Sequence, residues 1–545
     1  MLALCTCLSF GQNATPVPTA PSEVTSTTTA SYRIAGRTVS AVDGHPLEGA
    51  TVLISNTKTQ QLVASTLASE DGAFTFTGLK ADKYSLQAVK PGYLASAYDQ
   101  HDIFSTAIVT GVGLDTDSLV LRMTAAAILS GRVTDEARDP VRGATVTLYR
   151  ENHDEGRSRI TPFRSAPTDD LGAYEMASLP PGTYFISAKG MPWYAVHPQL
   201  RNPANPVELI GSVDPSLDVA YPTTFYADAI GADGATPIPV RGGDQININL
   251  HLLPLPAVTL TLHAAPGQQA VRVPQLQESV FDQSEAVYGQ MQFADSDVSI
   301  VGVPPGHYVL GQLNQSTGGI DKSTMIDLTR GTVDADAASG EDSGGIKIKL
   351  EGENGVTLPA VMLIGLRSKG AGIVANQLVT DKGVAEFGGL KPGDYHFFLS
   401  GNDRQYHVTR IALEGRTLSN NTVRVAPGTT VSVTVAFAAG SVAVEGFAKK
   451  DGKGEAGAMI VLIPYSANDN VELFRRDQSD LDGSFVLPNV VPGKYTAVAI
   501  EDGWDLEWGR PEVLARYLPK GVSVTISSSE RGAVRISDAL IVQPR

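Results

Sequence analysis

A short phrase recurs along this chain, and its spacing limits what the chain can fold into. Four copies superimpose: Asp71-Gly72-Ala73-Phe74 leading to Tyr84, Asp170-Leu171-Gly172-Ala173-Tyr174 to Tyr184, Asp381-Lys382-Gly383 to Tyr395, and Asp482-Gly483-Ser484-Phe485 to Tyr495. The step from glycine to tyrosine is 12 residues in each. A fifth, worn copy keeps the second half alone, Pro304-Pro305-Gly306-His307-Tyr308. Constant spacing means one supersecondary unit used repeatedly, so the chain reads as an array of small domains.

The phrase itself predicts turns and strands. Asp-Gly is turn chemistry, because glycine reaches positive φ and aspartate hydrogen-bonds its own backbone. Ser484-Phe485-Val486-Leu487 alternates as a strand, with Phe485 and Leu487 on one face. Val491-Pro492-Gly493-Lys494 turns the chain, and Tyr495, Ala497 and Ala499 then share a face, which predicts a β-hairpin with a long connection. Upstream strands open with Gly36-Arg37-Thr38-Val39 and Gly131-Arg132-Val133-Thr134 and continue through Thr51-Val52-Leu53-Ile54 and Thr145-Val146-Thr147-Leu148. Short strands with turn signals every 8–12 residues or so predict antiparallel sandwiches. No segment sustains a helical period; one short helix is expected within 512–517.

These motifs together, with Pro46-Leu47-Glu48-Gly49-Ala50 and Pro140-Val141-Arg142-Gly143-Ala144 between the strands, resemble the carboxypeptidase regulatory-like domain. The resemblance implies an all-β tandem array of about five antiparallel transthyretin-like or Ig-like β-sandwiches, related to Cna-B-like and carbohydrate-binding-like modules. It also implies a non-catalytic protein of the bacterial envelope, acidobacterial in type. The expected division is a signal peptide over 1–11 and a Thr/Pro/Ser-rich linker over 12–31. Regulatory-like domains come next over 32–123 and 124–255, the latter with a Pro-rich extension. A degenerate sandwich is expected over 256–335, another sandwich over 340–437, and a last regulatory-like domain over 440–545.

With 545 residues the chain has room for five such units. Its net charge of −16 argues against a nucleic-acid partner, which needs a basic face. Both cysteines, Cys5 and Cys7, fall in the apolar opening, where Ser9-Phe10-Gly11 supplies small residues for cleavage before Gln12. Export to the periplasm, the outer surface or the medium is therefore expected, as a cysteine-free mature monomer. No later apolar run is long enough for a transmembrane helix.

Enzymatic motifs are missing: no His-Glu-x-x-His, no Gly-x-Ser-x-Gly elbow and no phosphate loop. No catalytic residue, metal or cofactor is assigned. Asp477-Gln478-Ser479-Asp480-Leu481-Asp482-Gly483 resembles part of a calcium loop, but Gln478 takes the first ligand position and no glutamate closes it. Cna-B-type isopeptide bonds need a strand-borne lysine, which the opening strands over 32–39 and 128–134 do not supply. One regularity points to binding. Nine residues after the tyrosine come Tyr93, Trp193 and Trp504, each beyond a turn, with Tyr194 and Trp508 close by. Such aromatics either stack on sugar rings or cap the open end of their own sandwich. Tyr93, Trp193, Tyr194, Trp504 and Trp508 are thus the candidate ligand contacts, polysaccharide the first ligand class, and an envelope protein the alternative partner. Tyr221-Pro222-Thr223-Thr224-Phe225-Tyr226 either packs a domain joint or displays a second aromatic surface.

Overall fold

The computed structural model describes residues 31–545 apart from 112, 154–155, 199–213, 265–272, 288, 295–296, 314–319, 337–339, 354, 369–371, 402–404, 419–421, 441, 466–470, 528–529 and 531. The expected signal peptide, both cysteines and almost all of the linker lie outside the described residues. Strand is the dominant element of what is described and helix is scarce, and the apolar side chains gather into five sandwich cores. These centre on Ile54 and Leu86, Leu148 and Ile186, Leu260 and Leu310, Ile364 and Val435, and Leu462 and Leu487.

The second sandwich shows the plan. One sheet orders Ala173–Leu179, Ala127–Thr134 and Gln245–Asn247; the facing sheet is built on Arg159–Pro167, Thr145–Asn152 and Gly182–Lys189. Inward positions alternate as the sequence requires, so Tyr184, Ile186 and Ala188 meet Val146 and Leu148 in the core. One pairing departs from the antiparallel expectation. In every sandwich the opening strand runs parallel to a late strand, for instance Tyr32–Ser40 beside Leu119–Met123 and Gly344–Gly352 beside Thr430–Ala439. The close of each unit thus returns to its start, a pairing that local periodicity does not encode.

The repeated phrase has a common physical cause. At each of its four glycines a tight turn closes, as Gly172 N–H donates to Asp169 and Asp169 N–H to Ala173. The glycine carbonyl then accepts from the opening strand, at Thr38, Val133, Leu350 and Ala448 in turn. With φ of +69° and the Val133 carbonyl 2.5 Å from where a Cβ would stand, Gly172 has no substitute. At the other end the tyrosine hydroxyl donates to the carbonyl four residues back, Tyr84 to Lys80, Tyr184 to Pro180, Tyr308 to Pro304, Tyr395 to Lys391 and Tyr495 to Val491, at 2.5–3.1 Å. All five rings are buried, and burial raises their pKa, that of Tyr495 to about 12. The worn third copy keeps this bond.

The expected hairpin is corrected by the structure. Ser484–Val490 pairs with Val442–Lys450, whereas Gly493–Ile500 pairs with Met459–Pro464, so the two strands of the phrase lie in different sheets. The chain crosses between sheets because a residue six before each tyrosine takes positive φ: Gly78, Ser178, Gly302, Gly389 and Asn489. The pairing register slips at each of these points, which bulges the strand and turns it over the core.

In the fifth sandwich the sheet is covered on both faces. Ile460, Leu462, Ala497 and Ala499 face the core, while Met459, Val461, Val498 and Ile500 pack under Trp504, Trp508, Leu514 and Tyr517. The expected short helix appears as Pro511–Leu514 within this cover. Among the described residues no helix is long and apolar enough to cross a membrane.

The array also folds back on itself. Leu481 of the fifth sandwich packs into the first core, and Phe104 of the first into the cover of the fifth. Leu481 N–H donates to Ala107, Ala107 N–H to Asp480 Oδ1, and Gln478 Nε2 to Asp99 and Thr106. Lys83 Nζ bonds Asp480 Oδ2 at 2.5 Å and Ser484 Oγ at 2.9 Å. Beside this contact the second sandwich joins the fifth through Gly509 N–H to Gly156 and Ser158 N–H to Glu507.

Candidate functional site

The five candidate aromatics end in three different settings. Tyr93 is half-buried, packs against the first core and bridges to Ala125 at the joint with the second sandwich. Trp504 and Trp508 are turned away from solvent, 8% and 6% exposed. His101 stacks on Trp504 at 5.1 Å with the rings 8° apart, Phe104 leans on it at 5.6 Å, and Trp504 Nε1 donates to Gly457. The Arg476 guanidinium sits 4.4 Å from the Trp508 ring and 5.2 Å from Phe104, with Asp102 at 3.5 Å. These two indoles face protein in this arrangement: His101 and Phe104 of the first sandwich lie on Trp504, and Phe474 and Arg476 of the fifth lie on Trp508. The signal for it lies in Met459-Ile460-Val461-Leu462-Ile463, an unbroken apolar run that marks a strand covered on both sides.

Trp193 and Tyr194 differ. Trp193 is 86% exposed and meets Tyr194 edge-on, ring centres 5.7 Å apart. Tyr194 is fixed through its hydroxyl, which donates to Glu136; Glu136 also accepts from Tyr221. An indole in water on an anchored mount offers an exposed aromatic face.

The loop that carries it also walls a cavity of about 1010 Å³ between the second and third sandwiches. Met191, Pro192, Tyr221, Phe281, Val287 and Tyr308 supply apolar wall. Tyr221 belongs to the extension whose role the sequence left open: Phe225 packs the joint with Tyr149, Val280 and Phe281, and Tyr221 faces the cavity. Lys189 is the charged centre, 2.8 Å from Glu278 and 2.6 Å from Glu285. Burial pulls its pKa down, but the two carboxylates outweigh that and hold it above its ordinary value. Thr223 Oγ1 donates to Glu278, and Tyr149 to Glu285, at 2.6 and 2.7 Å. Nothing in the local pattern of Lys189, Glu278 and Glu285 announces this group, because its members come from two sandwiches.

Among the described residues no cluster of His, Cys, Asp and Glu is placed to hold a metal ion. The carboxylates of the calcium-like segment are occupied: Asp477 by Val486 N–H, Asp480 by Lys83, Asp482 by Ser484. Burial pushes the Asp477 carboxyl up to about 7, with the Asp480 charge adding to it and Lys83 opposing. The folded chain therefore holds a proton that the unfolded chain releases near pH 4. Stability falls as pH rises from about 4 to 7 and levels off above, a loss on the order of 2–4 kcal/mol. Asp477→Asn should flatten this slope in denaturant titrations at pH 5 and pH 8, read by fluorescence of the buried tryptophans. An unchanged slope would remove Asp477 as its source.

Residues 33–112 and 128–197 match the sequence model of the carboxypeptidase regulatory-like domain. No curated protein matches the chain. Among solved structures, the TIE protein of Bacillus anthracis is similar at 12% identity, covering 77% of this chain and 76% of its own, with a TM-score of 0.18. The minor pilin GBS52 of Streptococcus agalactiae is similar at 14% identity over 41% of this chain and 97% of its own, TM-score 0.21. The shaft pilin SpaA of Lactobacillus rhamnosus GG is similar at 10% identity over 42% and 98%, TM-score 0.20. At such TM-scores these likenesses bear neither on how the sandwiches are arranged nor on what the chain does.

Proposed function

We propose that this chain, which carries two carboxypeptidase regulatory-like domains in a tandem array of β-sandwiches, is an exported, non-catalytic binding protein of the bacterial envelope whose partner is a carbohydrate. The observation that carries the reading is Trp193, 86% exposed on a mount anchored through Tyr194 and Glu136. A flat apolar ring in water matches the apolar face of a sugar, and burying it against one recovers the hydration cost of leaving it exposed. The matched domain family is a sandwich module rather than an enzyme, which supports a role in contact rather than turnover.

Affinity electrophoresis of the purified chain over plant, fungal and bacterial glycans tests this. Trp193→Ala should weaken retardation by about tenfold or more, as aromatic hot spots do, with the melting curve unchanged. Equal retardation of both proteins would remove Trp193 from the site.

A second reading, a connector that touches another envelope protein, is favoured by the contact of the fifth sandwich with the first and second. Silence across the glycan panel would favour it.

A further inference from the structure

We propose that the cavity between the second and third sandwiches is a binding pocket for the end of a neutral or amino-bearing glycan, and that it rejects acidic ones. This rests on the carbohydrate reading above and specifies its ligand.

Three features converge. The volume, about 1010 Å³, lies at the upper end of the range of roughly 300–1,000 Å³ typical of small-molecule pockets, and it stands between two domains, where such pockets concentrate. Its wall alternates ring and hydrogen-bonding chemistry. Tyr221, Phe281 and Tyr308 provide faces, while Lys189, Glu278 and Thr223 provide donors and acceptors beside them. Sugars present the same alternation, apolar C–H faces edged by hydroxyls. Lys189 has three N–H donors, of which Glu278 and Glu285 engage two. Glu278 has a second oxygen, Oε2, beyond the one that takes Lys189 and Thr223; the two oxygens of Glu285 are taken by Lys189 and Tyr149. The polar group is internally held yet keeps capacity for a ligand.

Charge selects within that class. One ammonium, Lys189, is paired with Glu278 on the wall and with Glu285 off it; Asp233 is a second carboxylate on the wall, and His197 of the wall is 2.8 Å from Asp218. His307 on the wall is likewise beside a carboxylate, Asp327, at 3.6 Å. Carboxylates outnumber the ammonium in a partly desolvated space, where a further negative charge meets repulsion that solvent screens poorly. A uronic acid or phosphorylated sugar is disfavoured; a hydroxyl or ammonium is not.

The placement of Trp193 supplies direction. Met191, Pro192 and Ala195 line the cavity and Trp193 between them is exposed, so a chain whose end enters the cavity leaves along the loop that bears the indole.

Isothermal calorimetry of the full chain with cello-oligosaccharide, chitosan oligosaccharide and oligogalacturonate tests the pocket. The first two should bind and the third should not. Ala195→Trp, which fills the cavity from its wall, should weaken binding at least tenfold with the melting curve unchanged. Asp233→Lys, at an exposed position, should raise affinity for oligogalacturonate. If Ala195→Trp binds like the native chain while Trp193→Ala does not, the pocket is wrong and the surface reading stands. Preference for oligogalacturonate in the native chain also overturns the pocket. If no glycan binds, both fall.

Discussion

Trp504→Ala will destabilise the chain by about 3–5 kcal/mol and leave its glycan binding unchanged. The indole is 8% exposed, lies over Met459, Val461, Val498 and Ile500, and holds His101 and Phe104 of the first sandwich. Truncation opens a cavity under the outer sheet face and removes the platform on which His101 stacks. Two sandwiches lose packing, so the cost should sit in the upper part of the range for buried aromatics. Equilibrium denaturation followed by far-UV circular dichroism gives the first number, and affinity electrophoresis the second. The opposite pattern, lost binding at native stability, would return Trp504 to the ligand and with it the idea of matching aromatic loops at each sandwich end.

Gly131→Ala will cost the second sandwich more than about 4 kcal/mol, enough to unfold it at moderate denaturant. A Cβ at this position would stand 1.7 Å from the Ile248 carbonyl and 3.0 Å from the Tyr174 hydroxyl. That carbonyl accepts from Tyr174, and Ile248 N–H donates to Ser130, so it cannot move aside without opening the parallel pairing of Ala127–Thr134. Gly36 has the same relation to Leu119 in the first sandwich, with 2.1 Å to its carbonyl. Arg132→Ala, one residue along and exposed, should change stability by no more than about 0.5 kcal/mol. A Gly131→Ala chain that melts like the native one would show that the closing strand yields.

Those two residues mark the boundary of what local sequence reveals. Gly172 and Tyr184 are legible because turn chemistry and a buried hydroxyl act within a few residues of each other. Ser178 and Asn489 do the same work as Gly78, Gly302 and Gly389, yet hide behind different letters. Counting back six from each tyrosine would have exposed them and separated an arch from a hairpin. Gly131 was visible as an opening motif, but its reason lies at Ile248, more than a hundred residues on. For the binding residues the split is sharper. Trp193 and Trp504 hold the same place in the repeat; the apolar outer face of its own sheet and the docked first sandwich bury Trp504, while Trp193 stays in water. Lys189 and Glu278 meet across a domain joint and have no spacing to read.

The contact between the first and fifth sandwiches has a consequence for affinity. Both partners ride on one chain, so each sees the other at an effective concentration in the millimolar range if the intervening sandwiches hold the two within reach. A pairing with a dissociation constant far weaker than that of a complex between separate proteins would still be nearly always made. The residues at the joint, Lys83, Asp480, Arg476 and Trp504 among them, need only be good enough for neighbours, and the two sandwiches cut apart and mixed at micromolar concentration would pass each other by.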